Sequence, residues 1–524
     1  MFDRLVPRVN GKTQWTGETV RLPRAVSVTG AFAPRCAEAF LRRTGRADET
    51  GGFPLRVERD AALAEEGYRL RVAPDGVTAQ AADERGAVWA LTTLACLLDG
   101  DAISVCAIED RPRFGHRGLS LDCARHFFPA AEVEKIIEQL ALAKMNTLHW
   151  HLSDDQGWRV ESRRFPALHE TSGAYYTQEE IRAVVEFARV RGVEIVPEID
   201  LPGHVSAILA ADPQYSCSGK PVELARTGGI YPIIFCAGRE ETYAFLEELL
   251  DEVASLFPGD RFHIGGDEAP KAEWKKCPYC QARMREMGLA DEEELQGYFS
   301  ARVAEILRVR GKRAVCWNET LLAANRPRDL EIQYWTPMHR ESMRHYIERG
   351  GRWIDSDMLD LYFDYPYSMS PVRKVYEAVP RVAGEDRSAA PGLLGMECAL
   401  WSEHIPDARR LEERLFPRVQ AMAENAWSGP GDYADFTARL ERYLQGPLHA
   451  DIITTPRDWW DPEGSARQAE AFGYLRTMTE SLPAEVREQT LQAAAPDPEF
   501  ERMFATRFFR PEDIPILKRL MQKQ

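Results

Sequence analysis

The sequence lacks several features that would identify whole classes of protein. It contains no run of about 18 apolar residues, so no membrane-spanning helix is predicted. Its N-terminus lacks the apolar stretch of a secretory signal, and we expect a cytoplasmic protein. Basic runs are missing, and 66 Lys and Arg face 82 Asp and Glu, which gives a formal charge of −16. This acidic balance argues against nucleic acid as a partner.

A disulfide framework is also absent from the pattern of cysteines. Ten cysteines are scattered over 524 residues, which indicates reduced thiols. Cys277 and Cys280 form one close pair, but a single pair supplies two of the four ligands of a structural zinc site. Two thiols on a loop leading into a helix is the favoured interpretation, and no metal or cofactor is predicted.

The chain divides into three regions, at 1–112, 113–444 and 445–524. In the first, residues 68–72 and 76–80 alternate as half-buried strands do, and Asp75-Gly76 between them indicates a hairpin. Residues 85–98 follow with the apolar stripe of a helix. A small N-terminal α+β domain is therefore predicted.

In the second region, short apolar runs alternate with amphipathic stretches. Eight such runs over about 310 residues predict a (β/α)₈ TIM barrel, an α/β fold, with helices at 131–144, 178–191, 240–256 and 293–310. An open doubly wound sheet is the alternative, but no Gly-rich dinucleotide loop follows the first strand. The predicted strands are 118–122, 147–151, 193–197, 261–264, 313–317, 331–335, 353–356 and 394–399.

The third region consists of charged, helix-forming stretches at 466–480, 485–494 and 511–524. It contains no catalytic constellation, and a helical region is predicted. Two roles stay open for it: narrowing an active site, or forming the contact of a homodimer.

Polar residues follow the end of each predicted strand. In a barrel these ends form one rim, which is the active-site face. The rim residues are Asp122, Arg125, His149, Asp154, Glu198, His204, Asp267, Glu268, Asn318, Glu319, Trp335, Tyr362, Asp364, Trp401 and Glu403.

The segment His263-Ile-Gly-Gly-Asp-Glu268 is the strongest candidate for the chemistry. Its two glycines permit a tight turn and a close backbone approach. Asp267 and Glu268 follow, and adjacent side chains diverge, so the two acids can act on different atoms of one ligand. Taken alone, the pair is explained nearly as well by a helix cap and a solvated acid.

The surrounding residue types favour a sugar ligand. Trp158, Trp317, Trp335 and Trp401 lie near strand ends or in the following loops, and indoles stack on the apolar faces of sugar rings. The charged rim residues offer hydrogen bonds to hydroxyls. A phosphate ligand would require more cations and fewer acids.

The ordered motifs of residues 115–405 resemble those of family 20 glycoside hydrolases, the β-N-acetylhexosaminidases. Residues 66–98 also resemble the small domain that precedes the barrel in that family. The matching motifs are Arg117-Gly-Leu-Ser-Leu-Asp-Cys-Ala-Arg-His-Phe-Phe-Pro129, His149-Trp-His-Leu-Ser-Asp-Asp-Gln-Gly-Trp-Arg159, Pro197-Glu-Ile-Asp-Leu-Pro-Gly-His204, His263-Ile-Gly-Gly-Asp-Glu268, Trp317-Asn-Glu319, Tyr362-Phe-Asp364 and Trp401-Ser-Glu403.

The resemblance implies a retaining exo-enzyme in which the substrate's own 2-acetamido oxygen attacks the anomeric carbon and forms an oxazolinium ion. Glu268 would be the general acid and then the base. Asp267 would hold the acetamido N–H, and Tyr362 would bond the acetamido oxygen. Asp154 and His204 would support the acid.

The remaining substrate contacts are implied in the same way. Three tryptophans would wall the acetamide pocket, and an arginine and two acids would hold the ring hydroxyls. These residues are Trp317, Trp335, Trp401, Arg125, Asp364 and Glu403. The ligand would be a small glycoside, oligosaccharide or glycoconjugate, and the choice between gluco and galacto substrates stays open.

Two alternatives are weighed against this interpretation. A metal-dependent barrel hydrolase would use the imidazoles of His149, His151, His204 and His263 with Asp267 as ligands. A non-catalytic sugar-binding protein would keep the tryptophans and lose the acid.

Overall fold

The computed structural model describes residues 2–33, 35–480, 482, 486 and 497–515. Its first region is a mixed seven-stranded sheet in the order β1-β7-β5-β6-β4-β2-β3, with two helices. The elements are β1 Lys12–Arg21, β2 Ala25–Thr29, α1 Glu38–Thr44, β3 Ala47–Asp48, β4 Phe53–Arg59, β5 Tyr68–Ala73, β6 Gly76–Ala81, α2 Glu84–Leu97 and β7 Ala102–Asp110.

The predicted hairpin and helix of this domain are present. Strands β5 and β6 pair antiparallel, and α2 begins where the Asp83 side chain accepts a hydrogen bond from the Gly86 N–H. The other five strands were not predicted. Edge strand β1 shows why, because nearly all of its residues are exposed and no apolar alternation marks it.

The second region is a closed barrel of eight parallel strands, which confirms the predicted fold. Strand β19 pairs with β8 and closes the ring. The barrel strands, in order around the ring, are β8 His116–Asp122, β9 Thr147–His151, β12 Glu194–Glu198, β13 Arg261–His263, β14 Arg313–Trp317, β15 Glu331–Tyr334, β16 Trp353–Asp355 and β19 Leu393–Leu400.

Helices surround the barrel, and two small hairpins decorate its loops. The hairpins are β10 Ser153–Asp154 with β11 Gly157–Trp158, and β17 Arg381–Val382 with β18 Glu385–Asp386. The helices are α3 Ala130–Leu142, α4 Ala167–Ser172, α5 Gln178–Arg189, α6 Ser206–Ala211, α7 Glu240–Ala254, α8 Ala272–Lys276, α9 Pro278–Met287, α10 Glu292–Val309, α11 Arg340–Glu348, α12 Met358–Leu361, α13 Val372–Tyr376, α14 Ala408–Leu415, α15 Arg418–Ser428 and α16 Tyr433–Leu444.

The C-terminal region is helical where it is described, with α17 at Gly464–Glu480 and α18 at Pro498–Phe508. Most of the predicted helix at 485–494, and residues 516–524 of the last one, lie outside the described residues. Aromatic residues of α17 and α18 pack against Tyr362 and Tyr365 at the barrel rim. Among the described helices, none combines the length and apolar character needed to cross a membrane.

A buried polar network joins the N-terminal domain to the barrel. Glu66 forms an ion pair with Arg117 of β8 and accepts a hydrogen bond from Asn146 at 2.7 Å. Asp110 pairs with Lys144 at 2.9 Å. All five side chains are nearly inaccessible, so each charge depends on its partner across the interface.

The first prediction concerns this interface. Glu66→Gln leaves the fully buried Arg117 without its countercharge, and we expect a loss of about 3–5 kcal/mol in the free energy of unfolding. Glu109→Gln is the matched control, because it removes an exposed ion pair with Arg69. Urea unfolding followed by tryptophan fluorescence measures both, and equal midpoints for the two variants would contradict a stabilising interface network.

Candidate active site

The segment that carries the acid pair is shaped by its two glycines. Gly265 and Gly266 adopt φ values of 66° and 102°, in the left-handed region. A Cβ on Gly265 would lie 1.6 Å from Oδ1 of Asp200, so only glycine permits this approach. Glu268 has a φ of 47°, which is unfavourable for a side-chain-bearing residue and turns it away from the direction of the strand.

His204 links the two acids to the predicted supporting aspartate. Its Nε2 atom lies 3.4 Å from Glu268 and 3.9 Å from Asp267. Its Nδ1 atom lies 3.3 Å from both Asp154 and Asp155. These contacts place the imidazole between the acid pair and two buried carboxylates. Burial opposes its charged form, but these carboxylates raise the pKa of His204 well above its usual value.

Asp267 is surrounded by other acids and is the less exposed member of the pair. Burial, followed by the negative charge of Glu268, raises the pKa of Asp267 to about 6 although His204 opposes the shift. Burial and the Asp267 charge likewise raise the pKa values of Asp200 and Glu319 well above their usual range. The side chain of Glu268 is 31% exposed, against 13% for Asp267. The pair therefore consists of a sheltered acid and one that reaches toward solvent.

Aromatic rings form a continuous wall beside the acids. The Trp401 ring lies 5.8 Å from that of Trp317 and 6.1 Å from that of Tyr362. Trp335 stacks on the other side of Tyr362 at 6.1 Å, and its indole N–H donates to Glu319 at 2.7 Å. Three of the four tryptophans singled out near the strand ends thus share one wall. The fourth, Trp158, makes no ring contact with them within the described chain, and its indole N–H donates to the Val160 carbonyl oxygen.

Arg125 lies next to Trp401 and forms ion pairs with three carboxylates. Its guanidinium lies 2.9 Å from Asp154, 3.2 Å from Asp122 and 3.3 Å from Glu403. It also lies 5.0 Å above the Trp401 ring. Burial opposes its charge, but the carboxylates raise the pKa of Arg125 well above its usual value. The arginine is therefore a fixed cation at the pocket edge.

The C-terminal region contributes a residue that the sequence did not indicate. The Tyr474 hydroxyl of α17 donates to Oδ2 of Asp364 at 3.2 Å. Burial, and then the charge of Glu403, raises the pKa of Asp364 to about 7. Oδ1 of Asp364 is buried and has no hydrogen-bond partner among the described residues. Helix α17 therefore contributes a side chain that contacts a predicted site residue.

Three of the four histidines of the metal alternative lie beneath the pocket, whereas His204 lies beside the acid pair. His149 and His263 contact Glu198 at 3.0 and 2.8 Å, and His151 also bonds to it. Trp317 covers them, with its ring 4.7 Å from that of His263. His149, Glu198 and His263 are close enough to share an ion, but their side chains are at most 2% exposed. A catalytic metal needs an open coordination position, which this buried cluster does not offer.

All eleven predicted site residues meet at this end of the barrel. Sequence reasoning assigned no role to Asp200 or Glu319, although both lie in quoted motifs, and it missed Tyr474. Only the folded chain shows that Asp200 and Glu319 lie near Asp267, since nothing in the sequence gives that distance. The predicted residues are Arg125, Asp154, His204, Asp267, Glu268, Trp317, Trp335, Tyr362, Asp364, Trp401 and Glu403.

A parallel barrel with acids, an arginine and an aromatic wall at its C-terminal end is the arrangement of a barrel glycoside hydrolase. Comparison with known families identifies which one. The catalytic-domain model of glycosyl hydrolase family 20 matches residues 114–430, and the model of the family's domain 2 matches residues 18–111. The chain belongs to glycosyl hydrolase family 20.

Individual relatives agree with this assignment. A β-hexosaminidase of Porphyromonas gingivalis is 34% identical over 75% of this chain, which spans 55% of that relative's length. The human β-hexosaminidase subunit beta is 30% identical over 75% of this chain and 72% of its own. The structure of an exo-β-N-acetylglucosaminidase from Vibrio harveyi in complex with N-acetylglucosamine superimposes with a TM-score of 0.76 at 30% identity, over 86% of this chain and 77% of that one.

The second prediction tests the glycine turn. Gly265→Ala would force Asp200 away and displace the following acids, and we expect turnover to fall by at least about 100-fold. Gly311→Ala is the control, because its φ of 73° is similar but nothing lies within 4 Å of the added Cβ. That variant should lose roughly 1–2 kcal/mol of stability and keep its turnover. Equal turnover in both variants would mean that the close approach to Asp200 is dispensable.

Proposed function

We propose that the protein is a retaining exo-β-N-acetylhexosaminidase that removes terminal β-linked N-acetylglucosamine or N-acetylgalactosamine. The observation that carries the proposal is a sheltered carboxylate, Asp267, near an aromatic wall and beside a more exposed acid, Glu268. Oδ1 of Asp267 is buried and has no hydrogen-bond partner within the described chain, so it is free to accept one from a ligand. The structure of the Vibrio harveyi relative contains N-acetylglucosamine, which supports this class of substrate.

In the proposed mechanism Glu268 transfers the protons. It gives a proton to the glycosidic oxygen as the bond to the anomeric carbon breaks, and it later removes one from the attacking water. Its exposure suits a group that meets both the departing alcohol and the incoming water. His204, 3.4 Å away and tied to Asp154 and Asp155, holds it in position.

Asp267 and Tyr362 act on the acetamido group. The acetamido oxygen attacks the anomeric carbon, and the oxazolinium ion that forms carries positive charge on the amide. An ionised Asp267 accepts the amide N–H and stabilises that charge. Burial, followed by the negative charge of Asp364, raises the pKa of Tyr362 well above its usual value, so its hydroxyl keeps its proton. The Tyr362 hydroxyl can then donate to the acetamido oxygen.

The remaining residues hold the sugar. Trp317, Trp335 and Trp401 offer apolar faces to the acetamido methyl group and the ring. Arg125 and Glu403, 3.3 Å apart, supply a donor and an acceptor for ring hydroxyls. Asp364 adds a further acceptor through its unpaired Oδ1 atom. These polar groups match a neutral sugar with an N-acetyl group.

The third prediction tests the acid. Glu268→Gln should lower kcat on β-N-acetylglucosaminides with poor leaving groups by about 10²–10⁴-fold, because the departing oxygen is no longer protonated. The loss should shrink on an aryl glycoside whose phenol leaves readily. Glu273→Gln, five residues further along, is the control and should retain wild-type rates. A uniform loss on all substrates would contradict the acid role.

The same assay settles the substrate class. The turnover of several aryl β-glycosides by the wild-type protein is measured. The panel includes gluco and galacto configurations, each with and without the 2-acetamido group. Turnover that requires the acetamido group, with the β-anomer as the first product in an NMR time course, is expected. Equal rates on plain β-glucosides would contradict acetamido participation.

The fourth prediction concerns pH. Only ionised Asp267 stabilises the oxazolinium ion, and its pKa is raised to about 6, so kcat/KM should fall as the pH drops below 6. Because Asp267 interacts with Asp200 and Glu319, the apparent value belongs to the cluster. Asp267→Asn should lower the rate and abolish this acidic limb, whereas Glu273→Gln should keep it. An unchanged limb in Asp267→Asn would assign it to another group.

A further inference from the structure

Four cysteines from three separate parts of the chain, Cys217, Cys236 and the Cys277–Cys280 turn, lie together beside the barrel. Their sulfur atoms all lie within 4.8 Å of one another. Cys236 lies 3.7 Å from Cys277 and 3.8 Å from Cys280, and Cys217 lies 3.8 Å from Cys280. No other group of potential metal ligands within the described residues contains two or more cysteines.

The spacing of the sulfur atoms matches a metal site and excludes disulfides in this state. A tetrahedral site with Zn–S bonds of about 2.3 Å places its sulfur atoms about 3.8 Å apart. A disulfide would bring two of them to about 2.05 Å. The three measured pairs fall at 3.7–3.8 Å.

The backbone segments that carry the cysteines contact each other closely. Cys277-Pro-Tyr-Cys280 forms the turn that opens α9, and Cys236 packs against it through Gly238. A Cβ on Gly238 would lie 2.3 Å from the Tyr279 oxygen and 2.4 Å from the Cys280 nitrogen. The backbone N–H of Gly238 also bonds to Cys236, as is usual for groups that orient a metal ligand.

Cationic residues lie close to the segments that carry the cysteines. Four thiolates around a divalent ion carry a net charge of −2, which needs nearby positive charge. The Arg239 guanidinium lies 4.3 Å above the Tyr279 ring, and Arg283 donates to the Gly238 oxygen at 3.5 Å. Lys275 and Lys276 directly precede Cys277.

We propose that Cys217, Cys236, Cys277 and Cys280 bind one structural Zn²⁺ ion. Four S–Zn bonds form, the thiol protons leave to solvent, and no redox change occurs. All four positions of the ion are filled by sulfur, so it has no place for substrate.

The ion would secure a loop that reaches the active site. Cys217 and Cys236 bracket residues 218–235, a stretch without a helix or strand of its own. Thr227 accepts a hydrogen bond from Gln156 at 2.7 Å, and Gly228 packs against Glu403. The Cys277–Cys280 turn closely follows Asp267 and Glu268 in the chain. One ion would thus hold the loop against the segment that carries both acids.

Metal analysis of the purified full-length protein tests the site. Inductively coupled plasma mass spectrometry should find about one zinc per chain, released when a mercurial titrates the thiols. Cys217→Ser and Cys280→Ser should lose the zinc, and Cys96→Ser, a half-buried cysteine outside the cluster, should keep it. Negligible zinc, stoichiometric iron, or an intact mass showing paired loss of hydrogens through disulfides would overturn the assignment.

Proteolysis tests the role of the ion without relying on turnover or on a mutant that folds poorly. Arg226, which precedes Thr227, is an exposed trypsin site within the loop, whereas Lys220 precedes Pro221 and is not cleaved by trypsin. Wild-type protein should resist cleavage there, and zinc removal should accelerate it at least about tenfold, with protection restored by added zinc. Equal cleavage rates with and without zinc would overturn the clamping role. The proposed hydrolase function does not depend on either result.

Discussion

The crowding of carboxylates at the C-terminal end of the barrel is the constraint on which the site depends. Each buried acid there needs a cation, a hydrogen bond or its own proton. Arg125 serves Asp122, Asp154 and Glu403, and three histidines surround Glu198. Within the described chain, Asp200 and Glu319 form no salt bridge, and burial favours their protonated forms. Asp267 interacts with both groups, so its ionisation is coupled to theirs.

The two ends of the barrel use buried charge for different purposes. At the strand starts, Arg117 and Asn146 join the barrel to the N-terminal domain, and the charges of Glu66 and Arg117 are paired with each other. At the strand ends, buried oxygen atoms of Asp267 and Asp364 remain without a partner in the described chain. The first arrangement favours stability, and the second leaves polar atoms available to a ligand. TIM barrels in general show the same division, with the active site at the C-terminal ends of the strands and stabilising residues at the N-terminal ends.

The sequence predicted the barrel well because its strands are buried on both faces and appear as short apolar runs. The strand ends and the family resemblance together singled out eleven candidate residues, which the fold brings to one rim, and their roles stay a prediction. It could not predict the exposed edge strand at Lys12–Arg21, which lacks a hydrophobic pattern. It also gave no means of pairing Cys217 and Cys236 with the Cys277–Cys280 turn, since that needs contacts across more than 40 residues.

Tyr474 lies outside the part of the chain that carries the proposed chemical groups. The proposed chemical groups lie within residues 114–430, the part matched by the catalytic-domain model of the family. Tyr474, which bonds to Asp364 at the pocket edge, lies beyond that range. A change confined to the C-terminal region would therefore alter the surroundings of Asp364 and leave the proposed chemical groups in place.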